Sequence, residues 1–328
     1  MTLHISEAEV RTLLTMSAAI EAVEEISRKQ ASGEVVVHPR RRFELPGGGF
    51  FHYMAAADFS AGFIAMKQYT YVQGKIRFMV PLYEMRTGDL VATIEADYMG
   101  QLRTGAASGV ATKYLSRQNS RVAAVIGTGG QARTQLEAIA HVRKLESARV
   151  FGRNPAKREN FAKEMAERLG FPVESVDSSS AAVRGADILC TATNSANPVV
   201  SGADLAPGVH INAIGANHAH KRELDDDAVK SADVIVVDSI EQSRQEAGDL
   251  ILAFQGDEIC WTGVKKLSDV VAGKASGRTS DSEVTLFKSN GIASWDLAAA
   301  MKVYALAKEK KLGRELPFWT DAAPGESR

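Results

Sequence analysis

The chain has 328 residues, enough for two domains, and 45% of them are hydrophobic while 24% are charged, an ordinary mix for a globular protein. Its formal net charge of −1 creates no field that favours nucleic acid or an anionic membrane, so neither is expected as a partner. Cys190 and Cys260 are far apart, and no apolar run approaches the roughly 18–20 residues of a membrane span, so we expect a cytoplasmic protein without disulfides.

The first third of the chain predicts helices followed by an antiparallel sheet. Residues 1–33 are predicted to be helical, with Ser6 as the cap of a short helix, Ser17 before a longer helix and Gly33 as its end. Short β-like runs separated by glycine and proline come next. They predict strands at 35–37, 42–45, 50–55, 62–72, 78–84 and 90–94. A helix over 99–115 then leads the chain out of this sheet.

From residue 121 onward, strands and helices alternate, which predicts a parallel, doubly wound sheet. Helices are predicted over 130–142 and from a cap at Asn154 to about residue 169. The predicted strands of this sheet are 122–126, 148–151, 173–176, 188–193, 210–214 and 234–237.

The C-terminal part of the sequence predicts a return to the first sheet. Beyond the last of these strands the strand signal fades. Ser294 is predicted to cap a long helix that runs to Gly313 and is too apolar on one face to be a free tail. We therefore expect this helix to pack on the N-terminal part of the chain, and residues 322–328 to be disordered.

The clearest motif is a buried strand that leads into a glycine-rich turn and then into a helix. Gly127, Gly129 and Ala132 form the pattern G-x-G-x-x-A. In a dinucleotide-binding βαβ unit the first glycine allows the tight turn, the second lets the backbone approach the pyrophosphate, and the third small residue lets the helix pack on the strand. Because a helix N-terminus favours negative charge, the motif predicts a nucleotide site; an ordinary strand–helix turn is the alternative.

The end of the next strand bears on which dinucleotide is bound. An NAD site has an acidic residue about 20 residues after the glycines, where it binds the ribose 2′-hydroxyl. That position is Gly152 in this chain, and Arg153 follows it. A guanidinium clamps a 2′-phosphate that a carboxylate would repel. NADP(H) is therefore predicted over NAD(H), with Arg153 as a plain surface charge as the alternative.

Several charged side chains are candidates for chemistry. Lys67 lies on an apolar strand face, where it either acts as an acid or base with a lowered pKa or extends to water. The arginines at 40–42 and Arg103 could bind a substrate carboxylate through two hydrogen bonds, although a surface arginine is the commoner case. His218 and His220 lack the spacing and the further ligands of a metal site, so no metal is expected.

Further motifs extend along the chain. They are Lys67 in its strand, Arg103-Thr104-Gly105-Ala106, and the segments 125–132, 208–216, 222–225, 246–249 and 285–289. Together they are far more specific than the glycine turn alone. The chain resembles the ornithine cyclodeaminase/mu-crystallin family, which includes archaeal-type alanine dehydrogenases and ketimine reductases, and the resemblance covers nearly the whole chain.

The resemblance implies an α/β fold, in which a Rossmann doubly wound parallel sheet is inserted in a β-rich α+β domain. That β-rich domain, residues 1–115 plus 294–328, would bind the substrate and form a homodimer. The Rossmann NAD(P)-binding domain would comprise residues 116–293. The active site would then lie between the two domains.

The resemblance also implies roles for particular residues. Lys67 would hold or protonate the substrate, and Arg41 and Arg103 would bind its carboxylate. The residues expected to bind the cofactor are Thr104, Gly127, Thr128, Gly129, Gly130, Gln131, Ala132, Arg153, Asn154, Gly215 and Asn217.

The implied activity is NAD(P)H-dependent reduction of the C=N bond of a small 2-imino acid. The substrate would be a cyclic ketimine such as pyrroline-2-carboxylate, or the imine of a 2-oxo acid and an amine. Cyclodeaminases of the family have a basic Asp just after the glycines of the fifth strand, whereas Asn217 stands there in this chain, and an amide does not take up a proton as a carboxylate does. Ornithine cyclodeaminase with recycled NAD is therefore the second hypothesis, and a non-catalytic, crystallin-like NADP-binding protein is the third.

Overall fold

A computed structural model describes residues 1–318 of the chain. Two separate β-sheets form its framework. The strands of the first sheet are β1 (Thr2–Ile5), β2 (Val35–Glu44), β3 (Phe50–Asp58), β4 (Phe63–Val72), β5 (Lys75–Glu84), β6 (Leu90–Glu95) and β15 (Arg314–Leu316). Their order is β15-β1-β6-β5-β4-β3-β2, and neighbouring strands are antiparallel except for the parallel pair β1–β6.

The strands of the second sheet are β7 (Val122–Ile126), β8 (Ser147–Phe151), β9 (Val173–Ser175), β10 (Ile188–Thr191), β11 (His210–Ala213), β12 (Val234–Val237), β13 (Lys265–Lys266) and β14 (Thr285–Lys288). This sheet is wholly parallel and has the order β13-β12-β14-β11-β10-β7-β8-β9. The chain order reverses between the adjacent strands β7 and β10, as in a doubly wound sheet. The predicted α/β fold class, with a doubly wound parallel sheet beside a β-rich part, is confirmed.

Helices cover both sheets and connect them. The described helices are α1 (Glu7–Leu13), α2 (Met16–Ser32), α3 (Asp97–Leu115), α4 (Gly130–Val142), α5 (Pro155–Leu169), α6 (Ser179–Val183), α7 (Asp226–Lys230), α8 (Ile240–Glu246), α9 (Gly248–Phe254), α10 (Glu258–Thr262), α11 (Leu267–Val271), α12 (Ala293–Lys310) and the 3-10 helix Gly202–Asp204. Helix α3 leads from the first sheet to the second, and α12 packs back on β2 to β5.

Local capping chemistry sets several of these helix ends as predicted. Asn154 caps α5 because its side-chain oxygen accepts a hydrogen bond from the Lys157 backbone N–H at 3.0 Å, and Pro155 follows at the first helical position. Ser6 caps α1 in the same way, and Gly33 ends α2 in the left-handed conformation. The return of α12 to the N-terminal part is also confirmed.

Other predicted boundaries were wrong. The strand β1 lies in the stretch predicted to be helical, because its four residues pair with β6 and β15, which are distant in sequence. The cap of α2 is Thr15 rather than Ser17, and α12 starts after Ile292 rather than at a Ser294 cap. Strand β14 was missed, although it lies inside the parallel sheet between β11 and β12. The predicted disordered tail at 322–328 lies outside the described residues.

Helix α3 passes α4 so closely that a glycine is required at the crossing. A Cβ atom on Gly105 would lie 2.5 Å from the backbone oxygen of Thr134, which belongs to α4. Backbone atoms of a packed helix cannot move aside as a flexible side chain can. This contact fixes α3 against the parallel sheet, and α3 also carries Arg103 and Thr104.

We predict that Gly105→Ala destabilises the protein by about 1–3 kcal/mol, because overpacking outweighs the roughly 1 kcal/mol by which alanine favours a helix. Urea denaturation of wild type and variant measures this free energy. Gly263→Ala is the matched control, since its Cβ would meet no atom of the described chain within 4 Å. Equal stability of Gly105→Ala and Gly263→Ala would contradict the close crossing.

Candidate active site

A crevice of about 1130 Å³ lies between the two sheets. One wall is formed by the loops that follow β7, β8, β10, β11 and β14, all at the carboxyl edge of the parallel sheet. The other wall is formed by side chains of β3, β4 and β5 and by the first turns of α3. Ligands of doubly wound sheets bind at this edge, where the strand order reverses.

The glycine turn borders the crevice as predicted and has the shape of a phosphate cradle. Gly127 has a φ of +123°, and a Cβ there would lie 2.4 Å from the Ala192 backbone oxygen, so only glycine fits. A Cβ on Gly129 would meet no described atom within 4 Å, and no described side chain caps α4. The start of α4 therefore has room beside Gly129 and lacks a side-chain cap, which fits a dinucleotide pyrophosphate at the helix N-terminus.

The other residues of the turn divide between the crevice and the core. Thr128, Gly130 and Gln131 line the crevice together with the two glycines. Ala132 is fully buried in the core between α4 and the parallel sheet. It therefore supports the turn by packing rather than by contact with the crevice.

The loop after β8 places cations at the crevice. Gly152, Arg153 and Asn154 line it, and Arg153 is exposed. Lys157, which the sequence analysis did not single out, lines the same part of the crevice. The segment 151–157 contains no carboxylate.

Deep in the crevice, two buried cations share one carboxylate oxygen. The Oδ1 atom of Asp296 lies 3.1 Å from Lys67 Nζ and 3.0 Å from Arg103 Nε. Lys67, Arg103 and Asp296 are 6%, 4% and 1% exposed, so all three groups are largely out of water. Arg103 Nη1 has no hydrogen-bond partner within residues 1–318, which leaves a buried donor for a ligand.

Burial changes the acidity of Lys67. It lowers the pKa of the Lys67 ammonium to about 8, helped by the nearby charge of Arg103 and opposed by Asp296. The Nζ atom also lies 5.3 Å from the centre of the Phe78 ring. A Cβ on Gly100 would lie 3.1 Å from Nζ, so the small residue lets α3 approach the ammonium. Lys67 can therefore hold a proton at neutral pH and release it just above.

The arginine that reaches the crevice is Arg40, whereas Arg41 is exposed outside it. The pairing of β2 with β3 is irregular between His38 and Arg41, and this shift in register turns residue 40 toward the crevice. Arg40 Nη1 lies 2.7 Å from Glu246 Oε2 and its Nη2 donates to the Asn290 backbone oxygen at 2.8 Å. A bulge of this kind has no clear sequence pattern, so the choice of Arg41 among the three arginines has to be corrected.

His52 and Tyr69 form a hydrogen-bonded pair on the crevice wall. The two residues are opposite each other in the β3–β4 register, and His52 Nδ1 bonds the Tyr69 hydroxyl. Burial first, and then the charges of Arg40 and Arg42, lower the pKa of His52 to about 3, so its ring is neutral at physiological pH. Burial raises the pKa of the Tyr69 hydroxyl.

The remaining predicted residues also border the crevice. Thr104 lines it next to Arg103, and its hydroxyl donates to the Gly100 backbone oxygen at 2.8 Å. Gly215 and Asn217 line it in the loop after β11, and Asn217 is half-buried. Searched over residues 1–318, the chain has no cluster of three potential metal ligands and no helix long and apolar enough to span a bilayer.

A buried carboxylate holds the loops after β10 and β11 in place. Glu223 accepts hydrogen bonds from the backbone N–H groups of Thr193 at 2.6 Å and Gly215 at 2.7 Å, and from the Thr191 hydroxyl at 2.8 Å. Burial raises the pKa of this carboxyl, and Lys288 opposes that shift. Glu223 stood out in the sequence only as part of a family motif, because its partners Thr191 and Thr193 lie 32 and 30 positions away and Gly215 lies eight positions away in a loop.

The fold and the crevice together define a dinucleotide-binding protein with a Rossmann sheet and a second, antiparallel sheet. The chain belongs to the ornithine cyclodeaminase/mu-crystallin family, whose sequence model matches residues 2–311.

Related proteins match most of the chain. A delta(1)-pyrroline-2-carboxylate reductase of Bacillus cereus is 37% identical over 248 residues, which are 74% of this chain and 75% of that protein. The structure of Thermococcus litoralis delta(1)-pyrroline-2-carboxylate reductase with NADH and L-proline is similar with a TM-score of 0.92 and 35% identity, over 96% of this chain and 100% of that one. An archaeal alanine dehydrogenase dimer with bound NAD has a TM-score of 0.90 and 34% identity, over 97% and 99%. The chain is an NAD(P)-dependent reductase or dehydrogenase of this family.

We predict that Glu223→Gln destabilises the protein by about 2–3 kcal/mol and weakens dinucleotide binding, because the amide NH2 replaces one carboxylate oxygen and leaves one buried backbone N–H facing a donor instead of an acceptor. Urea denaturation and fluorescence titration with the dinucleotide measure the two effects. Glu174→Gln, at an exposed position of β9, is the control and should change neither. A Glu223→Gln protein as stable as the control would show that the loops do not depend on this carboxylate.

Proposed function

We propose that this protein is an NADP(H)-dependent reductase of small 2-imino acids, with a cyclic ketimine such as pyrroline-2-carboxylate as the substrate. The observation that carries the proposal is the buried pair of Lys67 and Arg103 on one oxygen of Asp296, across the crevice from the glycine turn. Arg103 offers a cation for the substrate carboxylate, and Lys67 offers an acidic N–H for the imine nitrogen. The bound NADH and L-proline of the Thermococcus relative support the same pairing of ligands.

Residues of the chain bind and orient the substrate. Arg103 has a buried donor without a partner in the described chain, and a guanidinium binds carboxylate through parallel hydrogen bonds, so Arg103 receives the substrate carboxylate. Arg40 also lines the crevice and is a second arginine near the substrate. Fixing the carboxylate and the imine nitrogen at two points aligns the C=N bond for reaction.

Lys67 controls the proton at the imine nitrogen. The reduced nicotinamide, when bound, supplies the hydride for the imine carbon. Lys67 Nζ, protonated at neutral pH, donates its proton to the imine nitrogen, so that hydride addition at the carbon gives the amino acid. The apolar wall of Phe50, Met54 and Phe78 excludes water from the reacting bond.

The cofactor preference rests on the residues after β8. Arg153 and Lys157 place two cations on the crevice where the adenosine ribose of a Rossmann ligand is expected. Cations in that position bind a 2′-phosphate, whereas a carboxylate would bind the 2′-hydroxyl. We therefore favour NADP(H) over NAD(H).

The antiparallel sheet also suggests an assembly. We propose a homodimer through this sheet, with residues 1–115 and the C-terminal helix as the substrate-binding part and residues 116–293 as the cofactor-binding part. Exposed apolar side chains on its strands support this interface: Val36, Phe43, Ile64, Tyr71, Val72, Ile76 and Met79.

Both cysteines are free thiols, which suits the cytoplasm.

We predict that the purified protein oxidises NADPH in the presence of pyrroline-2-carboxylate and that Lys67→Ala lowers kcat at least about a hundredfold, the usual contribution of a positioned acid. In wild type, kcat/KM should fall as the pH rises through about 8, because Lys67 then loses its proton. Lys144→Ala, at an exposed lysine between α4 and β8, is the control and should remain active.

Three results would contradict this proposed function. Normal turnover by Lys67→Ala would exclude its role. Release of ammonia from ornithine without net consumption of NADPH would favour a cyclodeaminase, against the expectation from Asn217. Cofactor binding without turnover of any imine would favour a non-catalytic binding protein.

We predict that Arg153→Ala raises the KM for NADPH by about 10–100-fold and leaves the KM for NADH nearly unchanged, because only NADPH has the 2′-phosphate. Steady-state kinetics with both cofactors measure the change. Lys163→Ala removes an exposed cation further along α5 and should have no effect. A wild type that prefers NADH would refute the assignment.

A further inference from the structure

The crevice continues along the antiparallel sheet in one direction from Lys67. Side chains two residues apart in a strand lie on the same face, about 7 Å apart, so Tyr69 follows Lys67 on the face that lines the crevice. His52 is opposite Tyr69 in the β3–β4 register and lines the crevice too. In the other direction the face is closed, because Ala65 is buried in the core. The far side of an imino acid held at Lys67 therefore comes next to the Tyr69–His52 pair.

The Tyr69–His52 pair has one more polar hydrogen than its own bond uses. Because burial lowers the pKa of His52 to about 3, its ring is neutral at physiological pH and carries one N–H, while the Tyr69 hydroxyl carries one O–H. One of these two hydrogens forms the bond between His52 Nδ1 and the hydroxyl. The other hydrogen is left over whichever tautomer the ring adopts, and so is one acceptor lone pair.

The neighbours of the pair do not use what is left over. His52 Nε2 is buried without a hydrogen-bond partner within residues 1–318, and the residue is 5% exposed. The His52 ring stacks on Phe50 at 4.5 Å between ring centres, and the Tyr69 ring lies 4.7 Å from that of Phe78. These apolar rings hold the pair in place but offer it no hydrogen bond. Because buried polar groups are normally paired, this unpaired group in a crevice wall indicates a contact that a ligand supplies.

A second spare donor lies beside the pair. Arg40 Nε is buried and has no partner in the described part of the chain, whereas its Nη atoms bond Glu246 and the backbone oxygen of Asn290. After burial, the charge of Arg40 is the next influence on the pKa of both His52 and Tyr69, so its guanidinium is near the pair. Two spare donors at this end of the crevice favour an oxygen atom of the ligand.

We propose that His52 and Tyr69 are specificity-determining residues, which select 2-imino acids with an oxygen atom on the side chain or ring, such as a hydroxyl group. The proposal rests on the proposed function and narrows its substrate class. A ligand hydroxyl accepts the spare hydrogen of the pair and donates to its spare acceptor in either tautomer. A methyl group of similar size bonds neither and leaves both polar groups unpaired, which weakens binding.

The test compares hydroxyl with methyl at the same ligand position, by isothermal titration calorimetry of the NADPH-loaded wild type. The open-chain pair is L-homoserine and L-norvaline. The ring pairs are 4-hydroxy-L-proline and 4-methyl-L-proline, with both groups on one face of the ring and then both on the other. NADPH and an amino acid are both reduced, so no turnover disturbs the titration.

We expect the hydroxyl ligand to bind at least about tenfold more tightly than its methyl counterpart in one or more of these pairs, because only the hydroxyl completes the hydrogen bonds of the crevice wall. Without such a contact the hydroxyl loses its bonds to water for nothing, and the methyl ligand binds better. Hydroxyl ligands that bind no more tightly than the methyl ligands in every pair would overturn the proposal.

The double variant His52→Phe/Tyr69→Phe assigns the preference to the pair. It keeps two rings and removes both polar groups together, so neither is left with a lost partner. We expect the hydroxyl preference to fall by about tenfold while the methyl ligands keep their affinity. Tyr98→Phe, whose ring lies against Arg11 outside the crevice lining, is the control. An unchanged preference in the folded double variant, or an equal loss of affinity for both kinds of ligand, would count against the assignment.

These measurements separate the two proposals. A wild type that prefers the hydroxyl ligands yet oxidises no NADPH with any imine refutes the proposed function alone. A wild type that reduces pyrroline-2-carboxylate but does not distinguish hydroxyl from methyl refutes the specificity alone, and one that binds none of these amino acids refutes both. If the double variant does not fold, the wild-type ligand pairs still decide the specificity.

Discussion

One oxygen atom of Asp296 has to serve two buried cations, and the site depends on this constraint. Lys67 comes from β4, Arg103 from α3 and Asp296 from the first turn of α12, so the three groups meet only when the antiparallel sheet, the connecting helix and the C-terminal helix are packed together. An acidic residue in the first turn of a helix is stabilised by the helix dipole. The negative charge of the carboxylate offsets part of the free-energy cost of burying two cations. It also leaves donors on Arg103 free for a ligand.

Buried carboxylates also organise the wall that faces this cluster. Asp238 accepts hydrogen bonds from the backbone N–H groups of Asn290 at 2.7 Å and Gly291 at 2.6 Å, and Gly291 lies against the guanidinium of Arg103. Glu223 does the same for the loops after β10 and β11. Each of these carboxylates binds backbone groups that would otherwise be unpaired at the carboxyl edge of the sheet. The crevice therefore has a polar wall, held by buried carboxylates, opposite the antiparallel sheet.

The sequence predicted the parts of the fold that depend on local chemistry. The strand over 122–126, the helix over 130–142 and the cap at Asn154 came out as expected, since each is encoded by adjacent residues. Strands β1 and β14 were missed, because they are short and their partners lie far away in sequence.

In the site, too, the sequence predicted features encoded by adjacent residues and missed those set by distant contacts. The glycine turn and Lys67 were found because they belong to recognisable runs of sequence, and Arg103 because of a family motif. Arg41 was chosen instead of Arg40 because the bulge in β2 is set by pairing with β3. Asp296 was missed, since nothing in its own helix distinguishes it from an ordinary first-turn acid; only the packed structure brings Lys67 and Arg103 to it.

The proposed function requires Lys67 and Arg103 together to hold an imino acid beside the cofactor. A crystal structure of the protein with NADP⁺ and L-proline shows whether they do. We expect the proline nitrogen within about 3 Å of Lys67 Nζ, a hydrogen-bond distance, and the carboxylate on Arg103. Proline bound with its nitrogen turned away from Lys67, or with its carboxylate on another cation, would contradict it.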